Sequence, residues 1–198
     1  MSNGVEQLRD GLKARLNEAA APLCRGLSEH GVTPNQLTVL GLAVVLAAAA
    51  LLAAGIAPAV AGVVFLLGSL LDALDGALAR RSGRSGRRGA FLDSSCDRIQ
   101  ETAILAAIAY RLALEGDAVA VASTALAVGG SLVTSYVKAR AEALGVSCAT
   151  GWVCRPERVA LITAGLLFGW LAPLAHVLAL LAWLSAVQRL REVLSRLP

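Results

Sequence analysis

Apolar positions along this chain come in long unbroken runs, not in short alternating ones. Between Glu29 and Asp72 no side chain carries a formal charge, with His30 counted neutral. As one helix that stretch would be roughly 63 Å long, about twice the hydrocarbon thickness of a bilayer. It must fold back, and Gly55-Ile-Ala-Pro58 supplies the turn. The pattern predicts a first membrane span over 35–56, opened by Thr33-Pro34-Asn35, and a second over 58–80. A third is expected over 89–112, although its first half carries Asp93, Asp97, Arg98 and Glu101. A fourth over 117–139 holds the uncharged run 118–137. Residues 159–188 are also uncharged, and Gly169-Trp170-Leu-Ala-Pro173 divides them into two short further spans. Upstream, Val5, Leu8, Leu12, Leu16, Ala19, Leu23 and Leu27 recur at helical spacing, with Arg9, Asp10, Lys13 and Glu18 mostly opposite. That is the pattern of an amphipathic helix at a membrane surface. The expected architecture is an all-α integral membrane protein, with a juxtamembrane amphipathic helix in residues 1–30 and six transmembrane helices in 31–198.

Composition supports the membrane assignment. Hydrophobic residues make up 57% of the 198 and charged ones 16%, and the mean hydropathy is +0.67. A soluble domain of this size has too little core to hide that much apolar surface. Aromatics are only 4%, so Ala, Leu, Val and Gly carry the bulk and permit close helix packing. Of the 18 lysines and arginines, all but Arg111 fall in segments on one side of the predicted spans. The positive-inside rule then puts both termini and the carboxylate-rich junction on the cytoplasmic side of a plasma membrane. The first thirty residues lack the compact apolar core and cleavage site of a secretory signal. Cys24, Cys96, Cys148 and Cys154 have no zinc spacing with each other or with His30 and His176, and are expected to be packing residues.

The chemistry concentrates between residues 72 and 97. Asp72 and Asp75 share a helix face, which Gly76 and Ala79 keep thin. Gly89, Asp93 and Asp97 repeat at i+4 on the next segment. If these segments are neighbours, four carboxylates converge, and their mutual repulsion in a poorly hydrated place demands a cation. Hard oxygen ligands suit magnesium or manganese. Carboxylates within a membrane protein also build ion or proton pathways, but such groups belong near mid-membrane on repeated or broken helices. No internal repeat is present and the other spans lack buried acids, so a metal-dependent enzyme is favoured over a transporter. Ser82-Gly83-Arg84-Ser85-Gly86-Arg87-Arg88 lacks the order of a phosphate-binding P-loop and reads as a basic turn that meets lipid headgroups. Nothing points to nucleic acid.

Asp72-x2-Asp75-Gly76-x2-Ala79-Arg80-x8-Gly89-x3-Asp93-x3-Asp97 resembles the signature of the CDP-alcohol phosphotransferase family. Eight fixed residues at fixed spacing make the resemblance specific, and the predicted helices extend it over nearly the whole chain. The resemblance implies transfer of a substituted phosphate from a CDP-linked donor, here CDP-diacylglycerol, to an alcohol with release of CMP. It implies that Asp72, Asp75, Asp93 and Asp97 bind two magnesium ions, for which manganese substitutes, and that Asp97 is also the general base. It places the nucleotide against Gly76, Ala79, Arg80 and Gly89, with Asn35 and Thr38 from the start of the first span. A homodimer is also implied. Glu101, one turn beyond Asp97, is expected to be mainly structural.

The acceptor is less sharply drawn. Ser135, Lys138, Arg155, Arg158 and Arg189 come from three later helix ends and would form a basic pocket for an acceptor that already bears phosphate. Ser135-Tyr-Val-Lys138-Ala-Arg140-Ala-Glu142 and Arg155-Pro156-Glu157-Arg158 are similar to the phosphatidylinositol phosphate synthases within that family. The resemblance therefore implies inositol 1-phosphate as acceptor, with glycerol 3-phosphate (phosphatidylglycerophosphate synthesis) as the runner-up.

Overall fold

The computed structural model describes residues 11, 18, 20–83, 86–148 and 153–197. Seven helices follow one another among the described residues. They are α1 (Ala21–Glu29), α2 (Pro34–Ala53), α3 (Pro58–Arg81), α4 (Arg87–Leu114), α5 (Ala118–Ala143), α6 (Arg155–Leu167) and α7 (Leu171–Arg196). Local chemistry sets where they begin. Thr33 caps α2 reciprocally: its Oγ1 accepts from the Gln36 backbone N–H at 3.4 Å, and the Gln36 side chain accepts from the Thr33 N–H at 2.8 Å. Gly55, at φ +89°, reverses the chain before Pro58 opens α3. Asp117 Oδ1 accepts from the Ala120 N–H at 2.9 Å to start α5. Glu157 accepts from the Cys154 N–H at 2.8 Å at the head of α6.

In the bundle α2 packs on α3 and α4, α5 packs on α7, and α6 packs on α3. Val45, Leu52, Phe65, Ile104, Ile108, Leu166 and Leu178 fill the centre. The leading ends of α2, α4 and α6 meet the trailing ends of α3, α5 and α7 at one end of the bundle, where two cavities open. One close approach positions that end. A Cβ on Gly68 would lie 2.7 Å from Val45 Cγ2, and one on Gly41 would lie 3.0 Å from the Gly68 carbonyl oxygen. No side chain fits there, so α2 and α3 touch backbone to backbone. Thr38, one turn before Gly41, is thereby set against Asp75, two turns beyond Gly68.

The expectation of six transmembrane helices plus a surface helix is corrected here. Among the described residues four helices are long and apolar enough to cross a membrane: α2, α3, α5 and α7. The two that fail do so for different reasons. At 28 residues α4 is long enough, but Asp93, Asp97, Arg98 and Glu101 leave no sufficiently apolar window. With 13 residues α6 measures about 20 Å, short of a hydrocarbon core of about 30 Å. Most of the amphipathic stretch 5–27 lies outside the described residues. Its described end, α1, packs inward through Cys24, which joins Leu37, Ala77 and Leu78 in a small cluster.

Candidate active site

The four signature carboxylates come from α3 and α4, but they do not form one symmetrical group. Asp72, Asp75 and Asp93 each offer an oxygen, and these oxygens lie within 4.8 Å of one another. Asp97 is outside that set. Asp72 and Asp75 are each only 4% exposed, so water cannot neutralise them and every polar contact matters. Thr38 donates its hydroxyl to Asp75 Oδ2. Gln100 Nε2 donates to Asp72 Oδ1 at 3.1 Å. Arg155, at the head of α6, spans the remaining gap: Nη1 lies 2.5 Å from Asp72 Oδ2 and Nη2 lies 2.9 Å from Asp97 Oδ1. The second contact has ion-pair distance without hydrogen-bond alignment, and it leaves the buried Asp97 Oδ1 without a hydrogen-bond donor.

Burial also governs the electrostatics of α4, which is not among the four candidate spans. Burial pushes the Asp97 carboxyl up to about 7; Arg155 opposes the shift while Asp72 and Asp93 add to it. Burial likewise raises Asp93, with Asp72 adding and Arg155 and Arg98 opposing. Acids that are this hard to ionise gain most from a cation of high charge density. Three oxygens within 4.8 Å, plus a fourth buried oxygen lacking a donor, fit a divalent metal.

Two cavities flank the acids. The smaller, about 180 Å³, is bounded by α2, α3 and α4, and its wall contains every residue expected to face the nucleotide: Asn35, Thr38, Gly76, Ala79, Arg80 and Gly89. The larger, about 540 Å³, lies among α4, α5, α6 and α7, and its wall contains Ser135, Lys138, Arg155, Arg158 and Arg189. Asp93 lines both. The acid group therefore stands between the two spaces.

Within the larger cavity the basic residues differ in how committed they are. Arg158 is 4% exposed and makes a bidentate pair with Glu101, Nε to Oε1 at 2.6 Å and Nη2 to Oε2 at 2.9 Å. Ser131 Oγ donates to the same Glu101 Oε1 at 2.8 Å. Arg189 Nη1 donates to the Thr134 carbonyl at 3.0 Å. Lys138 is half exposed and lies 3.7 Å from Glu142. Glu101 thus holds Arg158 in place. Gln100, 2% exposed, is the residue that sequence reasoning missed. It touches both Asp72 and Arg155, with its Oε1 accepting from Arg155 Nη2 at 2.9 Å. Its position three residues after Asp97 on the same helix was the available signal.

An all-α bundle with four membrane-length apolar helices and a carboxylate cluster between two polar cavities fits a membrane enzyme that uses a divalent metal. The sequence profile described as CDP-alcohol phosphatidyltransferase matches residues 31–188, and the chain belongs to that family. It is 34% identical over 189 residues to the archaetidylinositol phosphate synthase of Pyrococcus horikoshii, covering 94% of this chain and 96% of that one. Solved structures agree. The phosphatidylinositol phosphate synthase of Mycobacterium tuberculosis with CDP-DAG bound superposes with a TM-score of 0.80 at 34% identity, over 87% of this chain and 92% of that one. The same enzyme in complex with manganese and citrate gives a TM-score of 0.80 at 35% identity, over 87% of each chain. The protein is thus a transferase of phospholipid synthesis.

Proposed function

We propose that this protein transfers a phosphatidyl-type group from a CDP-linked lipid such as CDP-diacylglycerol to inositol 1-phosphate, releasing CMP. The observation that carries this reading is the pair of cavities meeting at Asp93, one thin-walled and one basic. Names of related proteins point to the acceptor: the relatives above are an archaetidylinositol phosphate synthase and a phosphatidylinositol phosphate synthase.

In this reading Asp72, Asp75, Asp93 and Asp97 hold magnesium, two ions balancing four carboxylates, with manganese able to substitute. The metal ions, when bound, screen the donor pyrophosphate from the acids and stabilise charge on the attacking and leaving oxygens. Gly76, Ala79 and Gly89 leave room for the nucleotide, and Arg80, with Asn35 and Thr38 near it, orients its phosphates. Asp97 takes the proton from the acceptor hydroxyl as that oxygen bonds to the lipid-side phosphorus and the bond to CMP breaks. Ser135, Lys138, Arg155, Arg158 and Arg189 hold the phosphate the acceptor already carries. The charge asymmetry of the chain supports a site on the cytoplasmic side, and the membrane is read as the plasma membrane. The homodimer belongs to the same reading, and mass measurement of the detergent-solubilised protein checks it.

The test is a CMP-release assay with CDP-diacylglycerol and separate acceptors. Inositol 1-phosphate is expected to give the highest kcat/KM. Preference for glycerol 3-phosphate would move the assignment to phosphatidylglycerophosphate synthesis. Preference for free inositol or serine would overturn the phosphate pocket.

A further inference from the structure

Arg155 occupies a position that the metal reading does not account for. Its guanidinium lies between Asp72 and Asp97, touching the first through Nη1 and the second through Nη2. These are the two acids that a common metal site would have to bring together, and Asp97 is the one left outside the 4.8 Å group. Gln100 fixes the arrangement from below. Its amide donates to Asp72 while its carbonyl accepts from Arg155, so one side chain orients both partners. The contact is incomplete, because Asp97 Oδ1 is near Arg155 without a hydrogen bond from it. Arg155 itself is 28% exposed and belongs at the same time to the wall of the 540 Å³ cavity.

We propose that Arg155 is a resident counter-cation, which competes with divalent metal for Asp72 and Asp97 and is released into the acceptor cavity when metal binds. The inference rests on the reading of these aspartates as metal ligands. A guanidinium carries one charge against four acids, and it fills the space between two of them. A dication bound to both would meet it at contact distance, where like charges in a poorly hydrated site repel strongly. Metal binding therefore costs the Arg155 ion pairs, and the freed guanidinium then faces the phosphate-binding space. By linkage, a phosphate-bearing acceptor that captures Arg155 tightens metal binding by the same factor as metal tightens acceptor binding. The protein thereby favours acceptor when the site is loaded.

The experiment titrates the full-length protein in detergent with manganese, reading free Mn²⁺ by electron paramagnetic resonance. Removing a competing cation in Arg155→Ala is expected to tighten the manganese Kd by about tenfold, and Arg155→Lys, which cannot reach both acids and Gln100 together, by a smaller factor. The manganese-induced rise in Tm is expected to be larger in Arg155→Ala than in wild type, because its metal-free acids lack their partner. The lysine variant carries the test if the alanine variant does not fold. An unchanged or weaker Kd in the variants would overturn the competition. Adding inositol 1-phosphate is expected to tighten manganese binding in wild type by a larger factor than in Arg155→Ala; equal factors would overturn the release into the cavity. Absence of manganese binding in every protein would instead overturn the metal reading beneath it.

Discussion

The two cavities are built on opposite principles. The smaller one, against α2, α3 and α4, owes its form to missing bulk: Gly76, Ala79 and Gly89 line it, and Arg80 brings its cationic side chain. The larger one, among α4 to α7, owes its form to charge, with Arg98, Lys138, Arg155, Arg158 and Arg189 facing Asp93, Asp97, Glu101 and Glu142. A shape-defined wall tolerates changes of charge nearby but not added volume. A charge-defined wall tolerates modest changes of volume but not the loss of one partner in a pair. Substitutions should therefore separate the two sides by which KM they move.

The largest effect is expected in the acid cluster between the two sides. Asp97→Asn keeps the size and removes the proposed proton acceptor, so kcat should fall by about 10²–10⁴. Binding of CDP-lipid, proposed for the other cavity, should persist, as calorimetry with a non-reacting acceptor-free sample would show. Near-normal turnover would remove Asp97 from the reaction. Chelation of divalent metal with EDTA should abolish turnover as completely, and added magnesium or manganese should restore it.

Next comes the charged side. Arg158→Ala should raise the acceptor KM roughly ten- to hundredfold, as loss of a hydrogen bond to a charged group costs about 1.5–3 kcal/mol. The donor KM should stay nearly constant. Because Glu101 is left buried without its partner, stability should fall too, by about 3–5 kcal/mol. Arg158→Met combined with Glu101→Leu should recover much of that stability and none of the acceptor binding. Recovery of both would make Arg158 a packing residue only.

On the shape-defined side the effect should be smaller and of the other kind. A Cβ on Gly89 would lie 3.4 Å from Asn35 Oδ1, an ordinary contact. Gly89→Ala should be nearly silent, whereas Gly89→Val adds methyl groups inside a 180 Å³ space and should raise the donor KM about tenfold, roughly 1.4 kcal/mol. The acceptor KM should not move. An equal rise in both would mean that the cavities are not separate.

The same contrast explains what could be read before the structure. Asp72 through Asp97 lie on two consecutive helices, so helical spacing alone predicts which side chains share a face. Turn residues were legible for the same local reason: Gly55 with Pro58, and Thr33 with Pro34, both act within four residues. The larger cavity depends on pairs far apart in sequence, such as Arg158 with Glu101 and Arg155 with Asp72, and spacing cannot pair them. Glu101 looked structural and Gln100 was overlooked, because a neutral amide among charged neighbours has no partner visible in sequence. The span count failed where apolar length and helix length diverge. Residues 159–188 are one uncharged run, but the helix within its first half stops at Leu167, where Gly169 at φ +69° turns the chain.

Lys138 gives the smallest expected effect and the finest test of the contrast. It lines the charged cavity, yet it differs from Arg158 in every respect that gives a charge its value. Its side chain is 47% exposed, its partner Glu142 is 58% exposed, and they lie 3.7 Å apart one helical turn from each other. Such a pair contributes about 0.3–0.5 kcal/mol, so Lys138→Ala should leave Tm essentially unchanged. Any loss must then come from the acceptor. An ammonium that meets a phosphate only at the rim should give a rise of about two- to fivefold in acceptor KM, shrinking as salt is raised because the site is screened. The Arg158 effect, buried, should barely respond to salt. If the two variants respond to salt alike, the larger cavity is a uniformly wet basic surface, and its buried Arg158–Glu101 pair has no special part in selecting the acceptor.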